Sequence, residues 1–433
     1  MDPLLLGVLA LAAMVALIMI GVPIAMAILL VALAGNSFMF TLPQTTAQIY
    51  SAFYGQTTEF LFVSIPLFIF MGYLVAVGNV GRDLYACIYK WLGYLPGGLA
   101  MTAISTCTMF GAVVGASAPA VATVGSITLP EMRRYKYDMR LATGAIATAS
   151  TVAILMPPSL LMVLYGLWTQ TSIGQLFMAG IVPALMMTAL FCGYVYLRCK
   201  ANPALGPVGQ KFPLGERIRS LTGVVPILAI FLVVVGGLYT GLFTASEAAG
   251  VGAFSILVIL LLMRRLTMER LLDAAVQTAR LSIMILTVFV AVTLFSRFLV
   301  LTDVTGTIVR SIVETGLNRY LILLLIIAMY IVLGMIMDGI SMLLLTLPLV
   351  FPIMMGLEFD PVWFGVIVAI VVEIGLVTPP VGFNCFVLRS VDPSVPLQDI
   401  FRGVTPFVLL SLLSILLIVA FPQIALWLPS LLF

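Results

Sequence analysis

The chain of 433 residues is 63% apolar and only 9% charged, and its mean hydropathy is +1.24. Soluble domains contain about 25% charged residues, so this composition excludes an ordinary soluble protein. The net charge of +3 identifies no class of partner, and the lack of any histidine in the sequence excludes an imidazole metal site and a serine-type catalytic triad.

The N-terminal part of the chain contains long apolar runs that predict membrane-spanning helices, because about 20 apolar residues cross the hydrocarbon layer. These runs are apolar on all faces, which favours helices over barrel strands. The predicted fold is an all-α polytopic membrane protein. Spans are expected near 3–20, 22–40 and 57–77, and an amphipathic stretch near 80–94. An apolar run over 97–132 is interrupted by small residues at 115–119.

The remainder of the chain continues this pattern. Spans are expected near 139–168, 174–197, 222–242, 246–263 and 276–302. A second interrupted run covers 319–354, and the last spans are expected near 361–388 and 404–430. The polar connection from 198 to 220 is rich in Gly and Pro, and it is predicted to be a loop that joins two halves.

The two halves share landmarks at one sequence offset. The Pro-Pro pairs, Pro157-Pro158 and Pro379-Pro380, are separated by 379 − 157 = 222 residues. The same offset relates three further pairs, which are Asp138 with Asp360, Tyr137 with Phe359, and Pro130 with Pro352. Four landmarks at one offset predict an internal repeat.

Basic residues predict the orientation of the chain, because positively charged loops stay cytoplasmic. Clusters of Lys and Arg at 133–140, 198–219 and 264–270 are therefore expected in the cytoplasm, whereas the loop around Asp360 contains neither and is expected outside. If the interrupted runs are re-entrant hairpins, an odd number of crossings separates Asp138 from Asp360, and the second repeat is inverted. The same reasoning places both termini in the periplasm.

Inverted repeats with broken helices are the architecture of secondary transporters. Each half contains a predicted hairpin tip, the first tip at 115–119 and the second tip at 338–341, and one helix interrupted by Pro-Pro. Pro-Pro frees backbone carbonyls one turn earlier, and such a break persists in hydrocarbon only where a partner satisfies those groups. A dehydrated cation such as Na⁺ is one such partner, and helix N-termini at the breaks suit a carboxylate. A plain proline kink is the alternative, which the matched pair of breaks disfavours.

Three acidic residues, Glu247, Asp338 and Glu373, interrupt apolar segments. A charge at a helix centre costs about 2.5–3.5 kcal/mol on insertion scales, so each is expected to face protein or water. Asp338 lies at a predicted tip and is favoured as an ion-site or gating residue, whereas Glu247 is favoured as a helix-start or packing residue. Glu373 stands at the position of Thr151 in the first half, and both a structural role and a coupling role stay open for it.

Several strings along the chain form a specific combination. They are FGAVVGAS at 110–117, AVATVGS at 120–126, ILMPPS at 154–159, SIG at 172–174 with the segment to Pro183, GLFTASEAA at 241–249, PVWFGV at 361–366 and EIGLVTPPVG at 373–382. Together they resemble the large membrane subunit of TRAP (tripartite ATP-independent periplasmic) transporters.

The resemblance implies secondary active import of a small organic anion, such as a C4-dicarboxylate or a sialic or sugar acid, across the bacterial inner membrane. It implies coupling to Na⁺, no organic cofactor, no enzymatic activity, and an elevator-type ion-transporter fold with two re-entrant hairpins and two Pro-Pro-broken helices. The expected partners are a separate small four-helix membrane subunit, a periplasmic substrate-binding protein and the lipid bilayer, with no nucleic acid.

Matching the family pattern residue by residue gives the expected sites. The expected Na⁺-binding residues are Ser117, Thr151, Pro157, Asp338, Gly339, Ser341, Gly375, Thr378 and Pro380. The expected substrate-binding residues are Ser117, Ser159 and Asn384. For Asn384, a helix–helix hydrogen bond is the open alternative.

The same pattern divides the chain into five segments. These are N-terminal scaffold helices at 1–96, a first inverted-repeat transport part at 97–197, a connecting loop with scaffold or arm helices at 198–318, a second inverted-repeat transport part at 319–403, and a C-terminal helix at 404–433.

Other functions remain as alternatives. A stand-alone ion-coupled anion carrier of the same superfamily would need no binding protein. A membrane-embedded enzyme is disfavoured because the sequence offers no cluster of His, Cys or paired carboxylates, and a structural scaffold is disfavoured by the mirrored breaks. The sequence does not determine the organic acid, nor Na⁺ against H⁺ coupling.

Overall fold

The computed structural model describes residues 2–314 and 316–432, and Met1, Thr315 and Phe433 of the predicted segments lie outside these ranges. Within the described ranges the chain forms helices joined by turns and loops, without strands, which confirms the predicted all-α fold. The helices up to the first tip are α1 (Pro3–Met19), α2 (Ile24–Met39), α3 (Leu42–Thr58), α4 (Ser64–Val77, after a 3₁₀ turn), α5 (Val80–Leu92) and α6 (Gly98–Val114).

The middle of the chain forms nine helices within the described residues. They are α7 (Ser117–Arg134), α8 (Met139–Val152), α9 (Leu160–Thr169), α10 (Ile173–Ala201), α11 (Leu214–Ser220), α12 (Val225–Tyr239), α13 (Ala245–Leu262), α14 (Met268–Leu301) and α15 (Val304–Glu314). The remaining helices are α16 (Arg319–Gly334), α17 (Gly339–Gly356), α18 (Pro361–Val377), α19 (Phe383–Val391), α20 (Leu397–Ala420) and α21 (Gln423–Leu432).

Six of the described helices are long and apolar enough to cross a membrane, as a multi-pass protein requires. They are α4 with its preceding turn, α10, α13, α14, α17 and α20. A seventh candidate is α11 with α12, which meet at a bend of 53°. The shorter apolar helices, of 10–17 residues, include members of both hairpins and both broken helices, as interrupted spans predict.

The offset read from the sequence reappears in the helix boundaries. Helices α7 and α17 begin at Ser117 and Gly339 and contain 18 residues each, and 339 − 117 = 222. Helices α8 and α18 begin directly after Asp138 and Asp360, whose carboxylates accept hydrogen bonds from first-turn N–H groups. Equivalent residues therefore begin equivalent helices in the two halves. The inversion of the second repeat stays a prediction.

Some elements differ from the sequence expectations. The connection 198–220 was expected to be a loop, but its end forms α11. Helices α3 and α15 lie between the predicted spans, and α14 begins at Met268 rather than near 276. The apolar runs did not reveal these helices because α3 and α15 are short or polar. The N-terminus of α3 is stabilised by a capping box formed by Thr41 and Gln44.

The two halves interlock through their hairpins. Helix α7 of the first hairpin (α6 with α7) packs on α19, and α17 of the second hairpin (α16 with α17) packs on α9. Helix α14 packs against α2, α4 and α17, and α4 also contacts α6 and α13. The division into scaffold and transport parts remains a prediction. In that division, α4 and α14 are the scaffold helices that contact the hairpins.

Candidate functional site

The first tip is an uncapped helix start beside the first break. Helix α6 ends at Val114, the next residue, Gly115, has φ +64°, and Ala116 is extended before α7 begins at Ser117. A positive φ favours glycine because other residues rarely adopt it. The carbonyl of Gly115 accepts a hydrogen bond from the N–H of Leu160 at 3.3 Å. The first tip thus contacts the start of α9.

The first break comprises residues 153–159, all of them buried. It contains the cis Pro157-Pro158 bond. Ser159 is 1% exposed and its hydroxyl accepts the N–H of Met162 at 3.3 Å, which caps α9. The hydroxyl of Thr151 donates to the carbonyl of Thr148 at 2.6 Å, within its own helix. Both predicted site residues therefore make local hydrogen bonds here.

The second tip is capped by a carboxylate. Asp338 is half-buried, and its Oδ1 accepts the N–H of Ser341 at 3.0 Å, so that it caps α17. Gly339 lies against α18 so closely that a Cβ there would come 2.8 Å from Cγ1 of Val372. Any side chain at 339 would therefore push the second tip away from α18.

The second break comprises residues 378–382 and contains the cis Pro379-Pro380 bond. The hydroxyl of Thr378 donates to the carbonyl of Ile374 at 2.6 Å. Gly382, with φ +60°, leads into α19 without a side-chain cap. Just before the break, a Cβ on Gly375 would lie 2.6 Å from Cα of Gly334, so α18 and α16 approach closely at this point.

A cavity of about 710 Å³ joins the two tips. Ser117, Asp338 and Gly339 line it together with Glu373 and Pro158. Helices α4 and α14 also line it, through Phe68, Ile69, Gly72, Tyr73, Ala76, Leu281 and Met284. The other predicted site residues, Thr151, Pro157, Ser159, Ser341, Gly375, Thr378, Pro380 and Asn384, are not among the residues that line it. The two tips therefore line one cavity, whereas most of the predicted site residues at the breaks do not reach it.

Four helix N-termini converge on this cavity. The first residues of α7, α9, α17 and α19 all line it: Ser117, Leu160, Gly339 and Phe383. The N-termini of α9 and α17 have side-chain caps, whereas those of α7 and α19 have none. A helix N-terminus presents free N–H groups and partial positive charge, which favour an anion. The arrangement suits a carboxylate or another small anionic group.

Glu373 connects the two halves at the cavity wall. Its side chain is 2% exposed, and its Oε1 accepts a hydrogen bond from the hydroxyl of Ser117 at 3.2 Å. Asn384, which is fully buried, lies beside the same carboxylate. The sequence leaves the role of Glu373 open. It does mark the residue as unusual, because Glu373 is an acidic residue within an apolar run, at the position that corresponds to Thr151 in the first half. The wall residues of α4 and α14 gave no signal, because they are apolar residues within apolar spans.

Glu247 has the helix-start role that its position favoured. It is the third residue of α13, and its Oε2 accepts the backbone N–H of Thr244 at 2.8 Å. The hydroxyl of Thr244 in turn accepts the N–H of Glu247 at 3.3 Å, which completes a capping box. This residue belongs to α13 and not to the cavity.

Ion pairs connect the halves near the basic clusters. Arg133, in the last turn of α7, pairs with Asp392 at 2.5 Å, and Arg140 pairs with Asp399 at 2.8 Å. Partial burial alone would raise the pKa of Asp392, but hydrogen bonds from Ser394 and the charge of Arg133 lower it below the usual Asp value overall. The first pair joins the end of α7 to the segment between α19 and α20, and the second pair joins the first turn of α8 to the first turn of α20.

Comparison with known families gives one match over nearly the whole chain. The model of the family described as "Tripartite ATP-independent periplasmic transporter, DctM component" matches residues 11–424. The chain is 33% identical to the C4-dicarboxylate TRAP transporter large permease protein DctM of Pseudomonas aeruginosa over 379 residues, which cover 87% of this chain and 88% of that protein. It is 32% identical to the isethionate TRAP transporter permease protein DctMQ of Oleidesulfovibrio alaskensis over 94% of this chain and 64% of that protein.

A solved structure shares the fold. The crystal structure of the Alcanivorax borkumensis YdaH transporter aligns with a TM-score of 0.62 over 99% of both chains, at 12% sequence identity. At that identity the likeness concerns the arrangement of the helices and not the chemistry of the site.

Proposed function

The chain belongs to the tripartite ATP-independent periplasmic (TRAP) transporter family as its large membrane subunit, the DctM component, and on that premise we propose that it imports a small organic anion coupled to Na⁺. Members of this family are multi-pass, non-enzymatic proteins of the bacterial inner membrane. Large subunits of the family work with a small membrane subunit and a periplasmic binding protein. For this chain, the proposed partners are a four-helix small subunit and a soluble protein that delivers the anion.

The observation that supports anion transport is the convergence of four helix N-termini on one cavity. Two of them lack side-chain caps, which leaves first-turn N–H groups for a ligand. No Lys or Arg is among the residues that line the cavity in the described structure, so backbone donors are the available partners for a carboxylate. Ser117, Ser159 and Asn384 are the proposed side-chain contacts. A C4-dicarboxylate or a sialic or sugar acid is the proposed class of substrate.

The proposed coupling ion is Na⁺, as a co-transported substrate. Its proposed ligands in the first half are Ser117, Thr151 and Pro157. In the second half they are Asp338, Gly339, Ser341, Gly375, Thr378 and Pro380. Carbonyl, hydroxyl and carboxylate oxygens are the ligands that hard cations accept. Asp338 and Glu373 place two acidic side chains at the cavity, and acidic side chains within membrane-spanning proteins mark ion or substrate pathways.

The proposed mechanism is an elevator. Both tips line the cavity, and so do α4 and α14, so a part that contains both hairpins would carry the ligand past these two helices. Alternating access then requires sliding along one wall rather than separation of the two halves, which interlock through α7 on α19 and α17 on α9. Both termini are proposed to be periplasmic.

The test is reconstitution of this chain with its candidate small subunit in liposomes. Uptake of a radiolabelled organic acid is measured with and without the periplasmic binding protein, and with Na⁺ or K⁺ outside. The proposal predicts uptake that requires both the binding protein and Na⁺. Uptake without any binding protein would identify a stand-alone carrier, and uptake that is indifferent to Na⁺ would overturn the cation assignment.

A further inference from the structure

Five aromatic side chains form contacts between the predicted scaffold and the predicted transport part. Trp168 of α9 packs on Phe289 of α14, with ring centroids 6.0 Å apart. Phe62, in the 3₁₀ turn before α4, packs edge-on against the ring of Phe289 at 4.8 Å. A second pair, Phe68 of α4 and Phe177 of α10, has ring centroids 6.1 Å apart. We call these five residues the aromatic cluster.

The aromatic cluster lies between two cavities. On α14, the residues that line the cavity at the tips are Leu281 and Met284, which precede Phe289. A second cavity, of about 430 Å³, is lined by Leu61 and Leu167, and each of these residues directly precedes a member of the cluster. The aromatic rings therefore separate the cavity at the tips from the second cavity.

The aromatic cluster is on the predicted periplasmic side of the tips. Helix α14 begins at the basic cluster expected in the cytoplasm, so Phe289 is farther from the cytoplasm than the α14 residues that line the cavity at the tips. Helices α8 and α9 leave the cytoplasmic cluster at 133–140, so Trp168 at the end of α9 is near the periplasm. The cavity at the tips reaches Ala76, in the last turn of α4 at its predicted cytoplasmic end. In this structure the cavity is therefore closed towards the periplasm and extends towards the cytoplasm.

The second repeat does not reproduce this aromatic contact. At the offset of 222 residues, the counterparts of the three residues around Phe289 are not aromatic: Ser390 for Trp168, Leu67 for Phe289 and Met284 for Phe62. Ser390 is exposed and Met284 is 40% exposed, whereas Phe289 is 1% exposed. In an inverted repeat, counterparts lie towards opposite sides of the membrane. These three residues are therefore positioned to close the cytoplasmic side in the alternative state, without aromatic rings.

We propose that this asymmetry sets the resting state of the transporter. The aromatic cluster holds the empty protein with its cavity towards the cytoplasm, and Trp168 must leave Phe289 before the cavity opens to the periplasm. Aromatic pairs stabilise a contact beyond the burial of their area, and a closure made by serine, leucine and methionine has no such pairs. The inference rests on the proposed elevator and adds to it the contact that biases its two states.

The first experiment measures access to the cavity from the periplasmic side. The reporter is Ala122→Cys on α7, which lines the cavity at the tips, labelled by a membrane-impermeant thiol reagent in liposomes whose periplasmic side faces outward. Trp168→Ser and Phe289→Leu each introduce the counterpart residue of the other repeat. Each is expected to increase the labelling rate about three- to tenfold, because each removes the ring contact that favours the closed state.

Phe351→Leu is the matched control for labelling. Phe351 of α17 makes an edge-on ring contact with Tyr165 of α9 at 6.1 Å, and both residues lie within the predicted transport part. Its loss should leave the labelling rate unchanged. Unchanged labelling in both Trp168→Ser and Phe289→Leu, or an equal increase in Phe351→Leu, would overturn the proposal.

The second experiment joins the two parts covalently. Cysteines at Trp168 and Phe289, linked by a short cleavable thiol cross-linker, are expected to abolish uptake until the linker is reduced. Cysteines at Phe62 and Phe289 are the control, because both residues belong to the predicted scaffold, and uptake there should be equal before and after linking. Uptake that persists in the first pair after complete linking, or that is also lost in the control pair, would overturn the proposal.

The two proposals fail in different ways. Uptake by the native protein that needs neither Na⁺ nor the binding protein would overturn the proposed coupling. The labelling of Ala122→Cys requires no transport, so it tests the aromatic cluster whatever the coupling ion is.

Discussion

The two helix breaks have the same spacing and sequence type but different surroundings. Every residue of the first break is buried, whereas Pro379 and Pro380 of the second break are exposed and Thr378 is half-buried. The polar side chains just before the two breaks also differ in where their hydrogen-bond partners lie. Thr151 completes its hydrogen bond inside α8, and its counterpart Glu373 reaches across to the first hairpin.

The tips show the same asymmetry. The residue that precedes α7 is Ala116, which provides no cap, and its counterpart before α17 is Asp338 (338 − 116 = 222), which provides a carboxylate. One repeat thus supplies an uncapped helix start, and the other supplies the charge. The helix breaks therefore recur in both halves at an offset of 222 residues, whereas the side chains around them differ between the halves.

The largest effect is expected from Asp338→Ala, which makes the second tip resemble the first. Loss of the carboxylate is expected to reduce Na⁺-dependent uptake by about 10–100-fold, as for loss of a metal partner. The helix cap is lost as well, at about 1 kcal/mol of stability. Asp338→Asn separates the two roles, because the amide oxygen can still cap α17. Uptake that survives in both variants would contradict a functional role for this carboxylate.

A substantial loss of stability is expected from Gly375→Val. The counterpart of Gly375 is Ala153 (375 − 153 = 222), which packs closely on Gly111 of α6 and still carries a Cβ, whereas Gly375 packs on Gly334 of α16 with no Cβ on either residue. Overpacking at this contact is expected to cost about 1–3 kcal/mol, measured as a decrease in Tm. Gly193→Val in α10 is the control, because a Cβ there meets nothing within 4 Å. Equal effects at the two positions would contradict the close approach.

A smaller effect is expected from Ser159→Ala at the first break. Ser159 is buried and caps α9, and loss of such a cap costs about 1 kcal/mol. The counterpart Val381 (381 − 159 = 222) is 41% exposed, so Val381→Ala should change stability by less than about 0.5 kcal/mol. The measurement is thermal unfolding without substrate. A larger decrease in stability for Val381→Ala than for Ser159→Ala would contradict the conclusion that the first break is the more tightly packed of the two.

The smallest effect is expected at the ion pair of Arg133 with Asp392, which joins the halves at the surface. The pKa of Asp392 is lowered overall in the folded state by Ser394 and Arg133, against the effect of partial burial. The stabilisation is therefore present above the usual Asp pKa and is lost as the pH falls below about 4. Exposed pairs contribute about 0–1 kcal/mol. The pH dependence of Tm should become slightly shallower in Asp392→Asn, and an unchanged profile would contradict the pairing.

Much of the fold follows from local sequence features. The interrupted runs, Pro-Pro pairs and small residues predicted both tips and both breaks, because Gly and Pro act on the backbone where they stand. The amphipathic and polar helices α3, α11 and α15 were missed, since apolar runs reveal only spans. The capping pair Thr41 and Gln44 was the available signal for α3.

The site could be predicted only in part. Ser117, Asp338 and Gly339 line the cavity as their positions at the tips suggested. The Ser117–Glu373 hydrogen bond joins residues 256 positions apart, and such a contact depends on how the two halves pack. The walls from α4 and α14 could not be predicted for the same reason, because any apolar face can serve as such a wall.

The central claim is that both repeats contribute to one cation-coupled anion site. The most direct test is the initial rate of binding-protein-delivered uptake as a function of external Na⁺, compared among the native protein, Ser117→Ala and Asp338→Ala. We predict that each substitution, one from each repeat, shifts the Na⁺ dependence to higher concentration. Native uptake that does not depend on Na⁺, or a Na⁺ dependence that either substitution leaves unchanged, would contradict the claim.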